Sequence, residues 1–452
     1  MNYNLDRNGK GSAEQYRRIP YGTQWIDDAD ITAVIETLRS NYLTTGPKIA
    51  EFEAALCTAT GAKYAVAVNS GTAALHAACF AAGIKPGDEV ITTPITFAAT
   101  ANAVLYMGGT PVFCDIDSAT WNIDPAKIEA LITAKTKAII PVHYTGQPSQ
   151  MDQILDIAKR NNLIVIEDAA HALGAHYNGA PVGAIGAMTC FSFHPVKHIT
   201  TGEGGAITTN SATLYQKMIQ FRTHGITRDL SLLERTKPMQ NATGTTACNS
   251  GDIKKLTGTS TDIGTCVSTG TDSGVSIGNS ASSAPQEIEP WYYEQQFLGF
   301  NYRITDIQAA LGVSQLAKLP AFLRRRREIV QAYYTAFQPL AASGKLQLQR
   351  IPDNTDPAWH IFIIKVPAQL RNSIFHSLQN MGLGVNLHYI PVYLHPYYQR
   401  LGYTKGLCPE AESLYDTIIT LPLYPKMSDE DVAYVVNCVR HTVSANDNIE
   451  ST

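Results

Sequence analysis

The sequence predicts an α/β fold, a mostly parallel sheet with helices on both faces, followed by a smaller C-terminal α+β unit. Three observations predict it. From about Ile26 to Arg228, short apolar runs alternate with amphipathic stretches of helical period. The apolar runs are nearly continuous in small and branched residues, as strands buried on both faces require. After Trp291 the pattern resumes with long helical stretches and then a strand–helix–strand succession.

The elements follow in order. Asp27 to Leu38 and Lys48 to Leu56 have helical period. Tyr64 to Asn69 reads as a buried strand and Thr72 to Ala82 as an Ala-rich helix. Strand Asp88–Thr93 precedes helix Phe97–Met107, and strand Thr110–Asp115 precedes helix Pro125–Thr133. Strand Lys137–His143, helix Met151–Asn161 and strand Leu163–Asp168 complete the alternation. Thr305 is an N-cap for a helix to Leu316, and Leu323 to Gln338 reads as a second helix. Then come strand Trp359–Val366, helix Arg371–Met381, strand Val385–Tyr389 and helix Asp429–Val443. The expected organisation is an N-terminal segment 1–25, a large domain 26–320 and a small domain 321–452. In residues 240–284, 24 of 45 positions are Ser, Thr or Gly and none is aromatic. Such a stretch buries too little apolar surface to offset its ordering entropy, so a flexible insertion is expected at about 232–289.

The chain has 452 residues, 44% hydrophobic and 16% charged, with a net charge of −4. That is the profile of an ordinary globular protein and not of a general nucleic-acid binder. The one dense basic run, Arg324 to Arg327, reads as a solvated helix face. Eight scattered cysteines form no C-x-x-C pair, so no metal site is expected. The same scatter of thiols suits a reducing compartment. With no apolar signal segment or membrane-length run, a cytoplasmic protein is expected.

Chemistry concentrates in the stretch Cys190 to Gly205. An apolar segment delivers Lys197 to a turn, and a Thr/Gly-rich loop follows. Burial lowers an amine's pKa, and the neutral amine is the form that attacks a carbonyl. Upstream, the apolar strand from Leu163 ends in Asp168, with His171 three residues on. A Schiff-base lysine and an aspartate for a pyridinium nitrogen are the minimal kit for pyridoxal phosphate (PLP). Asn69 to Leu75 joins a strand to a helix through Ser70, Gly71, Thr72 and Ala73, an arrangement that favours an anion. Taken alone it is equally an ordinary N-cap. Ser192 could donate to a phosphate. His194 and His198 flank the lysine, and either a substrate contact or a structural role fits them. Phe97 could stack on a planar ring or simply be core.

These motifs in this order resemble the sugar aminotransferases of the DegT/DnrJ/EryC1/StrS family. The marks are Leu43–Pro47, Ser70–Leu75, Glu167–His171, Ser192–Gly205, Pro290–Glu294 and Gly299–Ala310. The resemblance implies a fold-type I PLP-dependent aminotransferase with Lys197 as the Schiff-base lysine. Asp168 would pair with the pyridine nitrogen and His171 would lie near the ring hydroxyl. Thr72, Ala73 and Ser192, with Ser70 and Gly71, would hold the phosphate, and Phe97 would stack on the ring. Asn301 would reach the cofactor of the other subunit, making a homodimer the active unit, with Tyr302 and Arg303 beside the shared site. His388, Tyr389 and His194 would face the substrate. Within the family the chain most resembles the branch that aminates C4 of a UDP-linked keto-sugar with L-glutamate in pseudaminic acid biosynthesis. Two departures stand out: Tyr393 occupies a position where relatives usually carry histidine, and the insertion separates His224–Thr227 from Pro290–Glu294. An aminotransferase for another nucleotide 4-keto or 3-keto sugar is the first alternative; behind it stand a PLP-dependent sugar dehydratase, which normally has histidine in place of Lys197, and a non-catalytic member of the same family.

Overall fold

A computed structural model describes residues 17–234 and 288–445, and the core of the Ser/Thr/Gly-rich stretch lies outside these. The chain divides into two compact units. One comprises 1–224 and 298–452, the other 225–297.

The first unit is built on a seven-stranded sheet: β1 (Tyr64–Val68), β2 (Glu89–Thr92), β3 (Thr110–Phe113), β4 (Thr136–Ile140), β5 (Ile164–Asp168), β6 (Met188–Ser192) and β7 (Gly205–Thr209). In space they run β1-β7-β6-β5-β4-β2-β3. Only β7 is antiparallel to its neighbours. Because six strands point the same way, their carboxyl ends share one edge, and that edge is where a ligand meets such a sheet. Phe52, Phe191, Phe193 and Ile304 belong to one core cluster and Ile91, Ile139, Ile154 and Val165 to another, and the register puts Phe191, Val165, Ile139 and Ile91 on the same face of the sheet.

Local chemistry fixes the helix ends. In α1 (Asp28–Arg39), Asp27 and Asp30 form a reciprocal capping box. In α2 (Pro47–Thr60), Pro47 opens the helix and Gly61 closes it in the left-handed conformation. In α3 (Gly71–Ala81), the Ser70 hydroxyl accepts from the Ala73 N–H.

Four expectations are corrected here. The two helices expected on either side of Pro320 are one helix, Asp306–Ala342. A proline costs an interior helix about 3 kcal/mol, but Leu316, Leu319, Phe322 and Leu323 are buried together across that point and outweigh it. The strand expected from Trp359 begins at Phe362, because Trp359 adopts a left-handed φ of 53°. Val385–Tyr389 is no strand; its pairing reduces to a single bridge between Asn386 and Thr420. The basic run is not a solvated face throughout. Arg325 binds Asp429 and Arg327 binds Asp356, while Arg326 between them is 0% exposed.

Phe362–Lys365 pairs antiparallel with Gln347–Leu348 and Ile418–Leu421. Tyr333, Phe337, Phe362 and Val435 form the core beneath this small sheet. Ile19, within the expected N-terminal segment 1–25, is buried in the same core and pairs with Leu383. In the second unit, Ile226–Thr227 pairs with Glu294–Gln295. Among the described residues no helix is long and apolar enough to cross a membrane.

The crossing of α2 with the long helix depends on Gly312, where an added Cβ would lie within 2.7–3.0 Å of three ring atoms of the fully buried Phe52. Gly312→Val should therefore lower stability by about 2 kcal/mol or more, read as a reduced urea midpoint.

Candidate active site

The carboxyl edge of the sheet opens into a cavity of about 420 Å³, a size suited to a small ligand. Its walls come from the ends of β1, β5 and β6 and from the C-terminal part of the chain. Ser70, Gly71 and Thr72 line it at one end. Asp168 and Lys197 line its middle, and Phe97, His171, His388 and Tyr389 also border it. Sequence reasoning therefore brought together residues from five separate stretches that do meet.

At the phosphate end, α3 points its N-terminus into the cavity. Ser70 Oγ already takes the Ala73 N–H, 3.1 Å away, so that donor is committed within the turn. Ala73 is buried and does not line the cavity, a correction to the expected donor set. The donors left are the N–H groups of Gly71 and Thr72 and the hydroxyls of Thr72 and Ser192. A Cβ on Gly71 would stand 2.9 Å from Ser192 Cβ, so only glycine lets this cradle close.

Asp168 ends β5 with both oxygens engaged. Oδ2 accepts from Thr100 Oγ at 2.6 Å, and Oδ1 accepts from the Ala170 N–H at 3.1 Å. The carboxylate is thereby aimed and held. Phe97 does not begin a helix as expected; the helix starts at Ala99. Phe97 stands before it, 64% exposed, with an open ring face bordering the cavity and Tyr389 6.3 Å away.

Lys197 Nζ lies 3.5 Å from His360 Nε2. Burial pushes its pKa down to about 8; Asp168 opposes that shift and the Arg326 guanidinium adds to it. The surrounding histidines are kept neutral. His171, His198 and His360 sit well below their ordinary pKa, chiefly through burial, and His388 is pushed down to about 3 for the same reason. His171 Nε2 is 3.0 Å from the Tyr389 hydroxyl, which fixes both rings. The Tyr144 hydroxyl donates to the His388 carbonyl, and His388 Nδ1 lies 3.0 Å from Thr420 Oγ.

Not every expected residue lines this cavity. His194 does, on its exposed rim, whereas His198 is buried behind it. Asn301, Tyr302 and Arg303 lie away from it, against the end of β1. The Asn69 N–H donates to the Tyr302 carbonyl, and Val68 bridges Arg303. The Tyr302 hydroxyl is 3.0 Å from His76 Nδ1 and its ring stacks on Phe300, so this side chain is engaged within its own protomer. Tyr393 is 0% exposed, donates to Glu412 at 2.6 Å and does not line the cavity. Four contributors were not foreseen: Thr100, Tyr21, Glu203 and His360. Thr100 is the most readable of them, because Thr96 and Thr100 are a helical turn apart and their hydroxyls meet at 2.7 Å.

Comparison with known proteins agrees with this geometry. The model of the DegT/DnrJ/EryC1/StrS aminotransferase family matches residues 24–249 and 279–440. The chain belongs to that family. It is 40% identical over 426 residues to the uncharacterized protein MJ1066 of Methanocaldococcus jannaschii, covering 93% of this chain and 96% of that one. It is 38% identical over 435 residues to the spore coat polysaccharide biosynthesis protein SpsC of Bacillus subtilis, covering 95% and 98%. Among solved structures, the putative sugar aminotransferase Spr1654 from Streptococcus pneumoniae in its PMP form superposes with a TM-score of 0.80. That match is 29% identical and covers 96% of this chain and 100% of that one. Helicobacter pylori PseC, an aminotransferase of pseudaminic acid biosynthesis, gives a TM-score of 0.75 at 29% identity, covering 95% and 100%.

The protein is thus one of the PLP-dependent sugar aminotransferases, and its residues fit the cofactor. The Gly71–Ser192 cradle and the N-terminus of α3 suit a phosphate. Asp168 suits a protonated ring nitrogen, Phe97 presents an exposed aromatic ring, and Lys197 is a half-buried amine whose pKa is lowered by desolvation.

Two outcomes follow. Lys197 is ammonium below pH 8 and neutral above it. Capture of PLP by cofactor-free protein should therefore speed up as pH rises and level off just above 8, well before an ordinary lysine would, as followed by stopped-flow absorbance. Thr100→Val removes a charge-assisted hydrogen bond from Asp168 and should weaken PLP retention by about tenfold, measured by equilibrium titration.

Proposed function

We propose that the enzyme transfers the amino group of L-glutamate to C4 of UDP-2-acetamido-2,6-dideoxy-β-L-arabino-hexos-4-ulose. The product is UDP-4-amino-4,6-dideoxy-N-acetyl-β-L-altrosamine, an intermediate of pseudaminic acid biosynthesis. The observation that carries this reading is the joint placement of Lys197, Asp168 and the Gly71–Ser192 cradle on one cavity. The likeness to PseC, together with the Ser192–Gly205 motif, supports the choice of sugar.

When bound, PLP supplies a carbonyl carbon for amines and an electron sink for the carbanion that follows. The chain's own groups do the rest. Asp168, held by Thr100 and the Ala170 N–H, would keep a proton on the ring nitrogen. Lys197, its pKa pushed down to about 8, would serve as a base near neutrality. It would carry the proton from the donor's Cα to the cofactor's carbonyl-derived carbon, and from there to the sugar's C4 in the second half-reaction. His171, kept neutral by burial, and Tyr389 would border the cofactor without adding a charge.

The active unit is a homodimer in which Asn301 serves the partner's site and UDP-sugar and glutamate meet in the cytoplasm. Two features support the dimer. Asn301–Arg303 do not line the active-site cavity of their own protomer. Ile31, Ile35, Leu38, Tyr42 and Leu43, on and just after α1, form an exposed apolar group of the kind that interfaces bury.

A single-turnover assay tests the substrate. The enzyme is converted to its pyridoxamine form with glutamate and mixed with a panel of UDP-4-keto-6-deoxy sugars, and return of the original absorbance is timed. Rapid return with the L-arabino sugar alone is expected. Preference for the D-xylo epimer would replace the pathway and leave the enzyme class in place.

A further inference from the structure

We propose that His360 is a positioning residue for Lys197, held in place by the buried Arg326. His360 lies just before the strand Phe362–Lys365, far in sequence from the Ser70–Thr72 turn, Asp168 and Lys197. It is buried and lines the cavity, with Nε2 3.5 Å from Lys197 Nζ. Such contacts are often long in a site without its ligand and tighten when it is loaded. An amine donating to Nε2 puts the imidazole proton on Nδ1, and Nδ1 has no partner among the described residues. Among the described residues nothing therefore favours the other tautomer.

The backbone that carries His360 is fixed from both sides. On one side, the Ala358 N–H donates to the Gly146 carbonyl and the His360 N–H to the Thr145 carbonyl, at 3.0 and 2.8 Å. A Cβ at Gly146 would stand 2.6 Å from the Trp359 nitrogen and 2.7 Å from the His171 carbonyl oxygen. On the other side, Arg326 Nη1 reaches the carbonyls of Trp359, His360 and Leu423 at 3.2, 3.0 and 3.1 Å. Trp359 between them is held in a left-handed conformation that a bulky residue seldom adopts. Backbone strain of this kind persists only where the surroundings over-determine it, and it gathers at working sites.

Arg326 has a second consequence. It is a guanidinium without a carboxylate, and it leaves Nε and Nη2 without partners among the described residues. A core position that needed only three carbonyls capped would not require a full charge there. Its field instead disfavours protonation of Lys197, His198 and His360. The groups facing Lys197 are then Asp168, which favours the ammonium, Arg326, which opposes it, and the neutral His171, His198, His360 and His388. Among the neutral groups, His360 is the one within reach of Nζ as a hydrogen-bond acceptor.

This inference rests on Lys197 being the reactive amine and not on the identity of the sugar. It is tested on the full-length, cofactor-free chain by measuring the acetylation rate of Lys197 against pH, with peptides read by mass spectrometry. Loss of the acceptor destabilises the ammonium. His360→Phe should therefore move the Lys197 midpoint down by about one pH unit, and His360→Gln, whose amide oxygen can accept in the same place, should restore it. In the PLP-loaded enzyme His360→Phe should lower kcat by about tenfold with little change in KM, and Gln should recover most of the loss. An unchanged midpoint in His360→Phe, or Gln behaving as Phe does, would overturn the role of His360 and leave the sugar reading standing. A wild-type Lys197 midpoint in the ordinary lysine range would overturn the activated-amine reading itself.

Discussion

Close backbone contact at two glycines sets the geometry of the site. A Cβ on Gly205 would lie 2.5 Å from the Ser70 carbonyl oxygen, and one on Gly71 would meet Ser192. These residues sit at the ends of β7, β1 and β6, the three strands whose order places an antiparallel strand between two parallel ones. Because no side chain intervenes, the N-terminus of α3 drops to the level of the β6 end. The turn to Lys197 then leaves β6 on the same floor. Asp168, at the end of neighbouring β5, enters from the other side. Widening this approach by one methyl group would separate the anion cradle from the amine and carboxylate that must act on the same ligand.

The electrostatic design is correspondingly spare. Asp168, fixed by two donors, faces one amine whose proton is loosened by burial, and Glu203 also borders the cavity. His171, His360 and His388 around them are held neutral by burial, so they shape and bond without adding competing titrations. Glu167, next to Asp168, is turned to the other side of the strand. There it meets His143, Gly186 and Thr189 inside the core. Adjacent acids in one strand thus serve opposite purposes, since successive side chains leave opposite faces.

Much of this was legible in the sequence. Lys197, Asp168, Ser192 and the Ser70–Thr72 turn each end an apolar run, and an apolar run that stops at a polar residue reveals the edge of a parallel sheet. The alternation also gave the strands to within a few residues. What stayed hidden depends on contacts distant in sequence. His360 follows a tryptophan in a stretch that reads as plain strand, and only the turn at Thr145–Gly146 and the reach of Arg326 bend it toward the lysine. Arg326 looks like one of four equivalent surface arginines until the side of the long helix that packs inward is known. Pro320 suggested a break that burial on both sides suppresses. Tyr393, the residue that departs from the resemblance, is buried with its hydroxyl bonded to Glu412, and it does not line the cavity.

The pairing of Ile19 with Leu383 carries a consequence for how the chain is made. The Ile19 N–H donates to Gly382, and its carbonyl accepts from Gly384. During synthesis Ile19 emerges long before Gly382, Leu383 and Gly384, the residues it pairs with. The large sheet can assemble from local βα units in the meantime, whereas the small core cannot be completed. Ile19 thus waits, unpaired, while the residues of the large sheet are made, and the small core closes only when two segments distant in sequence are both present.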